Sequence, residues 1–387
     1  MVLEIVFWVA AGLIVYAHLG YPLLLRALVG LFGERDDARA RDSATRLMET
    51  AKPNGVIHRV SLIIPAHDEE TVIERKLANA RALDYPAPQL EVVVASDGSS
   101  DRTVELARSA GADQVLDLPR GGKVAALNAA VRQATGEILV FSDANSYWRP
   151  DALGRLVGRF ADERVGYACG QVRFLSDAGT NQEGLYWRYE MAIRARESQL
   201  QSVTAGNGAI YAVRPEAYLH VDPIMGHDLS LPFNMVKRGW RAVYAPAARA
   251  VEKMVPTVEG EFARKRRMMS HAWPIVLRGG LLSPRGYPPL YAFMVVSHRL
   301  LRYATPLLHA VALIANAALL GQGWVYVATL ALQVAVLAAA LAGRVVPVRA
   351  LLVARYYVLT TASVAAGLWD YLRHGTPAGW SPPEGTR

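Results

Sequence analysis

The chain has 387 residues, enough for one large domain with appendages or for two domains. Hydrophobic residues make up 52% and charged residues only 20%, a balance unusual for a purely soluble protein. The net charge of +8 suits anionic lipid or a phosphorylated substrate better than nucleic acid, because no long basic run carries interleaved aromatics; the single cysteine, Cys169, excludes an intrachain disulfide and a cysteine zinc cluster.

From the amino end, Ile5–Leu25 contains no Asp, Glu, Lys or Arg, and a helix of that length crosses a bilayer core. Glu4, the absence of an early basic residue and the length of the run argue against a secretory signal. Arg26, Arg35, Arg39, Arg41 and Arg46 then place the following segment in the cytoplasm, and the polar stretch 34–59 reads as a linker.

Four polar clusters follow, each at the end of an apolar run: Val60-Ser-Leu-Ile-Ile-Pro-Ala-His-Asp-Glu-Glu70, Val92-Val-Val-Ala-Ser-Asp-Gly-Ser-Ser-Asp101, Gly121-Gly-Lys-Val-Ala-Ala-Leu-Asn128 and Ile138-Leu-Val-Phe-Ser-Asp-Ala-Asn145. Short β-branched runs alternating with helical patterns predict βαβ units and a parallel sheet, whose ligands bind beyond the carboxyl ends of the strands. The four clusters are therefore expected to converge. Taken singly, Asp68 is expected to cap a helix that begins near Glu69, and Asp101 to cap the next one. Asp97 stands where a carboxylate reaches a base or ribose. Gly121-Gly122-Lys123 is a flexible turn with a cation, but not a P-loop, since the required glycine spacing and the Ser/Thr after the lysine are absent. Asp143 and Asn145, two residues apart at a strand end, offer hard oxygen ligands to Mg²⁺ or Mn²⁺. No histidine or cysteine cluster competes for zinc.

Further along, Glu261–Leu277 mixes Arg264, Lys265, Arg266 and Arg267 with apolar residues, and Tyr291–Tyr303 carries His298, Arg299 and Arg302 on an apolar background. Both read as helices at a headgroup surface, or as amphipathic helices packed on the globular domain. Ala304–Leu320 and Gly323–Gly343 form an uncharged spanning hairpin, and Arg344 and Arg349 return the chain to the cytoplasmic side. Tyr356–Trp369 is short for a span, so it either crosses with Arg355 snorkelling or lies in the interface. The expected organisation is a transmembrane helix over 1–33, a linker over 34–59, a catalytic domain over 60–257, interfacial helices over 258–303, membrane helices over 304–372 and a tail over 373–387.

Together the series PAHDEE, SDGSSDRT, GGKVAALNAA and FSDAN resembles the inverting family-2 glycosyltransferases, within the cellulose and hyaluronan synthase superfamily. The resemblance runs from about Val60 to Met268 and includes the flanking membrane helices. It implies an α/β, Rossmann-like A-type glycosyltransferase domain with a mostly parallel sheet, flanked by transmembrane and interfacial helices. It also implies a nucleotide-diphosphate sugar, taken here as a UDP-sugar, and Mg²⁺ or Mn²⁺. On that pattern Ala66, Asp68, Glu69, Asp97, Lys123 and Asp143 hold the nucleotide sugar, and Asp143 with Asn145 stands at the metal-binding pair. Gly206-Asn207-Gly208 is similar to the acceptor loop, although a simple turn before a strand accounts equally for Asn207. Gly226-His227-Asp228-Leu229 resembles the segment carrying the catalytic base, which makes Asp228 the base and leaves His227 where an acidic residue is common. Arg264 and Arg267 are placed to neutralise the departing diphosphate, while lipid headgroup contact accounts equally for Lys265 and Arg266. Asp68, Asn145, Arg264 and Met268 depart from the family pattern, and Met268 replaces the tryptophan of the processive signature. The tail Trp380–Arg387 is similar to W…R segments that favour a cytoplasmic carboxyl end.

The expected function is a membrane-embedded inverting glycosyltransferase of the inner membrane, catalytic domain inward, acting on a growing polysaccharide or glycolipid. Its partners would be the sugar nucleotide, a saccharide or lipid-linked acceptor, membrane lipids and polysaccharide-assembly proteins, with no nucleic acid. Two other readings share the motifs: transfer of one sugar to a polyprenyl-phosphate carrier, and a non-catalytic nucleotide-sugar-binding subunit. A dinucleotide oxidoreductase is disfavoured because no G-x-G-x-x-G follows the first strand.

Overall fold

The three β-branched runs at residues 60, 90 and 138 become neighbouring parallel strands because each is apolar on both faces and must be covered on both. The computed structural model describes residues 1–33, 58–175, 182–253 and 258–379. In it β1 (Val60–Ala66) pairs in parallel with β2 (Leu90–Asp97) and β4 (Ile138–Phe141), and β2 pairs in parallel with β3 (Gln114–Leu118). Leu62, Ile64, Val92 and Val94 enter the core on one face, and Ile63, Val93 and Ala95 the core on the other. Four further strands, β5 (Tyr147–Trp148), β6 (Val165–Leu175), β7 (Tyr211–Val213) and β8 (Arg241–Lys253), complete an eight-stranded sheet of order β3-β2-β1-β4-β7-β6-β8-β5. The β4–β7, β6–β7 and β5–β8 pairings are antiparallel, and β6–β8 is parallel. The expected α/β arrangement is therefore present, as a mixed sheet whose β1–β4 part is parallel.

Helix α1 (Val2–Phe32) comes first, and the sheet is then covered by α2 (Ile73–Arg81), α3 (Thr103–Ser109), α4 (Lys123–Gln133), α5 (Ala152–Val157), α6 (Gln182–Leu200) and α7 (His227–Lys237). The chain continues through α8 (Val258–Leu277), α9 (Pro289–Ala318), α10 (Trp324–Ala342) and α11 (Arg349–His374). Among the described residues α1, α9, α10 and α11 are long and apolar enough to cross a membrane.

Three expectations change here. The stretch Tyr291–Tyr303 is not a separate surface helix, because it runs on into the following apolar segment as α9, through a π-turn at Val295–Leu300. Tyr356–Trp369 gains its missing length from both flanks as α11. Helix α8, expected at a headgroup surface, packs along α11 instead. A Cβ at Gly367 would lie 2.6 Å from the Met269 Cβ, so only glycine permits the crossing. Arg266 donates two 2.6 Å bonds to Asp370, Trp273 donates to the Val364 carbonyl at 3.1 Å, and Lys265 bonds the Tyr356 hydroxyl. Lys265 and Arg266 are thus tied to protein rather than turned to headgroups. The linker arginines Arg35, Arg39, Arg41 and Arg46 and the tail Trp380–Arg387 lie outside the described residues.

A buried carboxylate joins the membrane helices to the α/β domain. Glu197 on α6, fully buried, accepts from the Tyr21 hydroxyl of α1 at 2.8 Å and is bonded to His298 Nδ1 of α9 at 2.7 Å. Its other oxygen accepts from the Thr204 amide and hydroxyl at 3.1 and 3.0 Å. Removing one member of such a set strands buried partners, at a cost of about 3–5 kcal/mol. Glu197→Ala is therefore expected to lower the unfolding temperature of the detergent-purified chain, whereas Glu216→Ala, on an exposed position, leaves it unchanged.

Candidate active site

Strand register brings the clusters to one edge. Ala66 lies level with Ser96, and Ile63 level with Phe141, so the segments after β1, β2 and β4 emerge side by side. Asp68 adopts a left-handed backbone, φ 51°, and its Oδ1 accepts from the Ser100 amide at 2.7 Å across to the β2 loop. This corrects the expected helix cap: α2 starts only at Ile73, and Asp68 instead stitches two loops together. Asp101 does serve the start of α3, accepting from the Thr103 amide at 3.0 Å, and it also takes the Glu70 amide at 3.0 Å. Glu69 is buried, and its amide donates to Thr103 Oγ1 at 2.7 Å.

Asp97, 1% exposed, accepts from the amides of Gly121 at 2.7 Å and Gly122 at 2.9 Å, and Arg120 lies 3.3 Å from it. Its carboxylate therefore shapes the Gly121-Gly122 turn. Gly122 has φ +96°, and a Cβ there would strike the Ala378 carbonyl oxygen. The segment after α11 thus crosses this turn, fastened by Thr376 Oγ1 donating to the Ser270 carbonyl at 2.7 Å. Nothing in the sequence pattern announced that contact.

The turn aims Lys123 at Asp143, and the two form an ion pair. A Cβ on Gly208 would lie 3.6 Å from Lys123 Nζ, which places the 206–208 loop beside this pair. Two residues earlier the Gly206 amide donates to the Asp228 carbonyl at 2.7 Å, and Arg194 Nη2 donates to the Gly206 carbonyl at 2.7 Å. Gly206 packs so closely on the Tyr167 ring that any side chain would collide with the hydroxyl. The 206–208 loop thus lies beside the Lys123–Asp143 pair at one end and is bonded at the other to the backbone of Asp228, in the first turn of α7. Both carboxylates press on the buried Tyr211 phenol, whose pKa burial first and then the neighbouring phenols and these charges drive far up.

Asn207 and His227 are occupied within the fold. Asn207 donates to the Gly170 carbonyl at 2.6 Å and accepts from the Ile210 amide at 3.0 Å, which is the turn reading. His227 is buried, bonded to the Tyr211 hydroxyl at 2.8 Å and packed edge-on against Phe141. Burial, then the Lys123 charge, pushes its pKa down to about 3, so the ring is neutral at physiological pH. Arg264 forms a two-bond pair with Glu261 at 2.7 Å, and Arg267 lies within its electrostatic reach on the same helix.

Two residues not anticipated from the motifs complete the cluster. Lys76 on α2, 1% exposed, donates to Ser142 Oγ at 2.6 Å and to the Ser146 carbonyl, so it braces both sides of the Asp143-Ala144-Asn145 turn. Burial pulls its pKa down to about 7 against the opposing pull of Asp143 and Glu252. Glu252 on β8 has one oxygen, Oε1, shut off from solvent without a hydrogen-bond partner among the described residues. Burial, then Asp143, holds its carboxyl above the usual range. A lysine between apolar residues on an amphipathic helix, and a glutamate at the end of a long strand, carry no motif.

The donor set fits a divalent cation. Asp143 and Asn145 are hard oxygen donors on one turn, and the nearby Glu252 oxygen lacks the partner a buried carboxylate requires. Among the described residues no group of three or more His, Cys, Asp or Glu stands ready as a complete protein cage. That suits an ion that keeps positions open for phosphate oxygens.

The sequence model of the family described as Glycosyl transferase family 2 matches residues 61–218. The probable glycosyltransferase YdaM of Bacillus subtilis is 29% identical over 209 residues, covering 49% of this chain and 49% of that protein. A beta-monoglucosyldiacylglycerol synthase of Trichormus variabilis is 33% identical over 167 residues, covering 41% and 35%. The chain thus spans about half or less of the length of these relatives. Among solved structures, the mannosyltransferase PcManGT from Pyrobaculum calidifontis, in complex with GDP-Man and Mn²⁺, is 26% identical with a TM-score of 0.65, covering 96% of this chain and 99% of that one. Residues 61–218 form a glycosyl transferase family 2 domain with the A-type glycosyltransferase fold.

Proposed function

We propose that the chain is a membrane-embedded inverting hexosyltransferase that moves a sugar from a nucleotide-diphosphate donor to a saccharide or lipid-linked acceptor. The observation that carries this reading is the 206–208 loop, which lies beside the Asp143–Lys123 ion pair and is hydrogen-bonded to the backbone of Asp228. It sets the Asp143-Ala144-Asn145 turn and the first turn of α7, which carries Asp228, at the two ends of one loop. The match to a solved mannosyltransferase with a nucleotide sugar and Mn²⁺ supports the donor class. A UDP-sugar and a GDP-sugar are both tested as donors.

In this reading the loops after β1 and β2, with Ala66, Asp68, Glu69 and Asp97, frame the nucleotide. Lys123 lies against its phosphates. A divalent cation at Asp143 and Asn145 neutralises charge on the leaving diphosphate when bound. Arg264 and Arg267 add positive charge on the side of α8. Gly208 leaves space for the acceptor sugar, while Gly206 lets the loop pack on Tyr167. Asp228 takes the proton of the acceptor hydroxyl as its oxygen attacks the anomeric carbon; the bond from that carbon to the diphosphate oxygen breaks, the diphosphate departs with the electron pair, and configuration inverts.

The four apolar helices anchor the domain at a bilayer. Arg26, Arg344 and Arg349 flank them in the pattern that keeps the catalytic domain on the cytoplasmic side of the inner membrane. A second reading, transfer of one sugar to a polyprenyl-phosphate carrier, is favoured by Met268: 48% exposed, it offers a thioether where the processive signature carries an aromatic ring to stack on a sugar chain. Labelled donor given to protein in nanodiscs with lipid extract separates the two, since a ladder of chain lengths marks polymerisation and one lipid-linked product marks single transfer.

Asp228→Asn is expected to reduce kcat by about 10²–10⁴, the usual contribution of a general base, with donor affinity unchanged. Turnover at the native rate would remove Asp228 from the mechanism. Asp143→Ala is expected to abolish the Mn²⁺-dependent part of UDP or GDP affinity in calorimetry, and an unaltered isotherm would refute the cation site.

A further inference from the structure

The carboxylate of Glu252 is separated from the Asp143-Ala144-Asn145 turn by more than a hundred residues of chain, yet the sheet delivers it there. Strand β5 begins just after that turn and pairs antiparallel with β8, Tyr147 opposite Val251 and Trp148 opposite Ala250. Extending the same register by one residue sets Glu252 across from Ser146, the residue after Asn145. On its other side β8 pairs with β6, Phe174 against Glu252, so the backbone at Glu252 is held between two strands.

Ser146 supports the carboxylate, yet its Oε1 is closed to solvent and without a hydrogen-bond partner among the described residues. A buried carboxylate oxygen without a partner costs stability, more so next to a second carboxylate. The charge of Asp143 acts on Glu252, and those of Lys123 and Arg264 act on it in the opposite sense. Lys76, beneath the same turn, feels both acids. The cluster has the composition of a cation site: a carboxylate and a carboxamide on one turn, a second carboxylate brought up by β8, and a lysine bonded to the turn itself.

We propose that Glu252 is a third protein ligand of the divalent cation, its Oε1 joining Asp143 and Asn145 and completing the protein's share of a six-coordinate ion. The inference rests on the proposed cation-dependent transferase. Mg²⁺ and Mn²⁺ use hard oxygen donors and leave positions for phosphate and water, so three protein oxygens remain compatible with a bound diphosphate. Charge supports the assignment as well. Two carboxylates forced together repel, and a doubly charged ion between them turns that repulsion into binding. The 13-residue strand β8 then has a role beyond the sheet, since it carries the ligand from the far side of the domain to the turn.

The test is Mn²⁺ binding to the full chain in detergent, read from the loss of the free-ion electron paramagnetic resonance signal, alone and with UDP or GDP. Wild type, Asp143→Ala, Glu252→Gln and Glu252→Asp are compared, with thermal unfolding confirming that each is folded. Even residues that only support metal ligands typically change affinity 10–100-fold. Glu252→Gln is accordingly expected to weaken Mn²⁺ at least about tenfold, with Glu252→Asp in between, because its shorter reach cannot keep a metal–oxygen distance of about 2.0–2.1 Å. If wild type binds Mn²⁺, Asp143→Ala loses it and Glu252→Gln binds like wild type, Glu252 is not a ligand and the proposed transferase stands. If Glu252→Gln fails to fold, native affinity in Glu252→Asp overturns the assignment equally. If wild type binds no Mn²⁺ with or without either nucleotide, the cation-dependent reading itself fails, and this inference with it.

Discussion

Parallel pairing of β1 with β2 and β4 is the constraint on which the molecule's chemistry depends. Evenly registered parallel strands end at one edge, so the segments that follow them cannot diverge. Each segment is short and rich in small or acidic residues. The result is a rim where Asp68, Asp97, Lys123 and Asp143 come from four different stretches of sequence. Their mutual bonds show how tightly the rim is specified: Asp68 holds the β2 loop, and Asp97 holds the glycine turn that aims Lys123.

That rim balances charge at short range. Lys123 pairs with Asp143, Lys76 supports the turn from below, and Glu252 approaches from β8. A site assembled from opposed charges at a partly shielded edge can accept a highly charged ligand with little reorganisation, because electrostatic interactions there are screened less than in water. His227 shows the contrast. Buried against Tyr211 and Phe141, it is held uncharged and belongs to the core rather than to the chemistry.

How much of this was legible in the sequence depended on distance along the chain. The strands at 60, 90 and 138 and the clusters that end them were readable, because periodicity and local polarity are properties of neighbouring residues. Asp68 misled because its local pattern is that of a helix cap, whereas its partner, Ser100, lies across a strand pair. Lys265 and Arg266 looked like lipid contacts because a basic amphipathic helix has the same composition whether it meets headgroups or, as here, Tyr356 and Asp370 of another helix. Glu252 and the crossing of Ala378 over Gly122 were invisible, since both follow from pairings between remote segments. Tyr356–Trp369 is short for a span when only its uncharged core is counted, and the helix gains its length from flanks that carry charged residues, Arg349 and Arg355 before it and Asp370 and Arg373 after it.

The Glu197 node carries a practical lesson for anyone extracting this protein from lipid. Tyr21 and His298 belong to two of the helices long and apolar enough to cross a membrane, while Thr204, on the same carboxylate, begins the loop whose Gly206 amide is bonded to the backbone of Asp228. A micelle that lets those helices spread would loosen the loop without unfolding the sheet. Preparations that look intact by circular dichroism could therefore differ in turnover according to the surfactant alone.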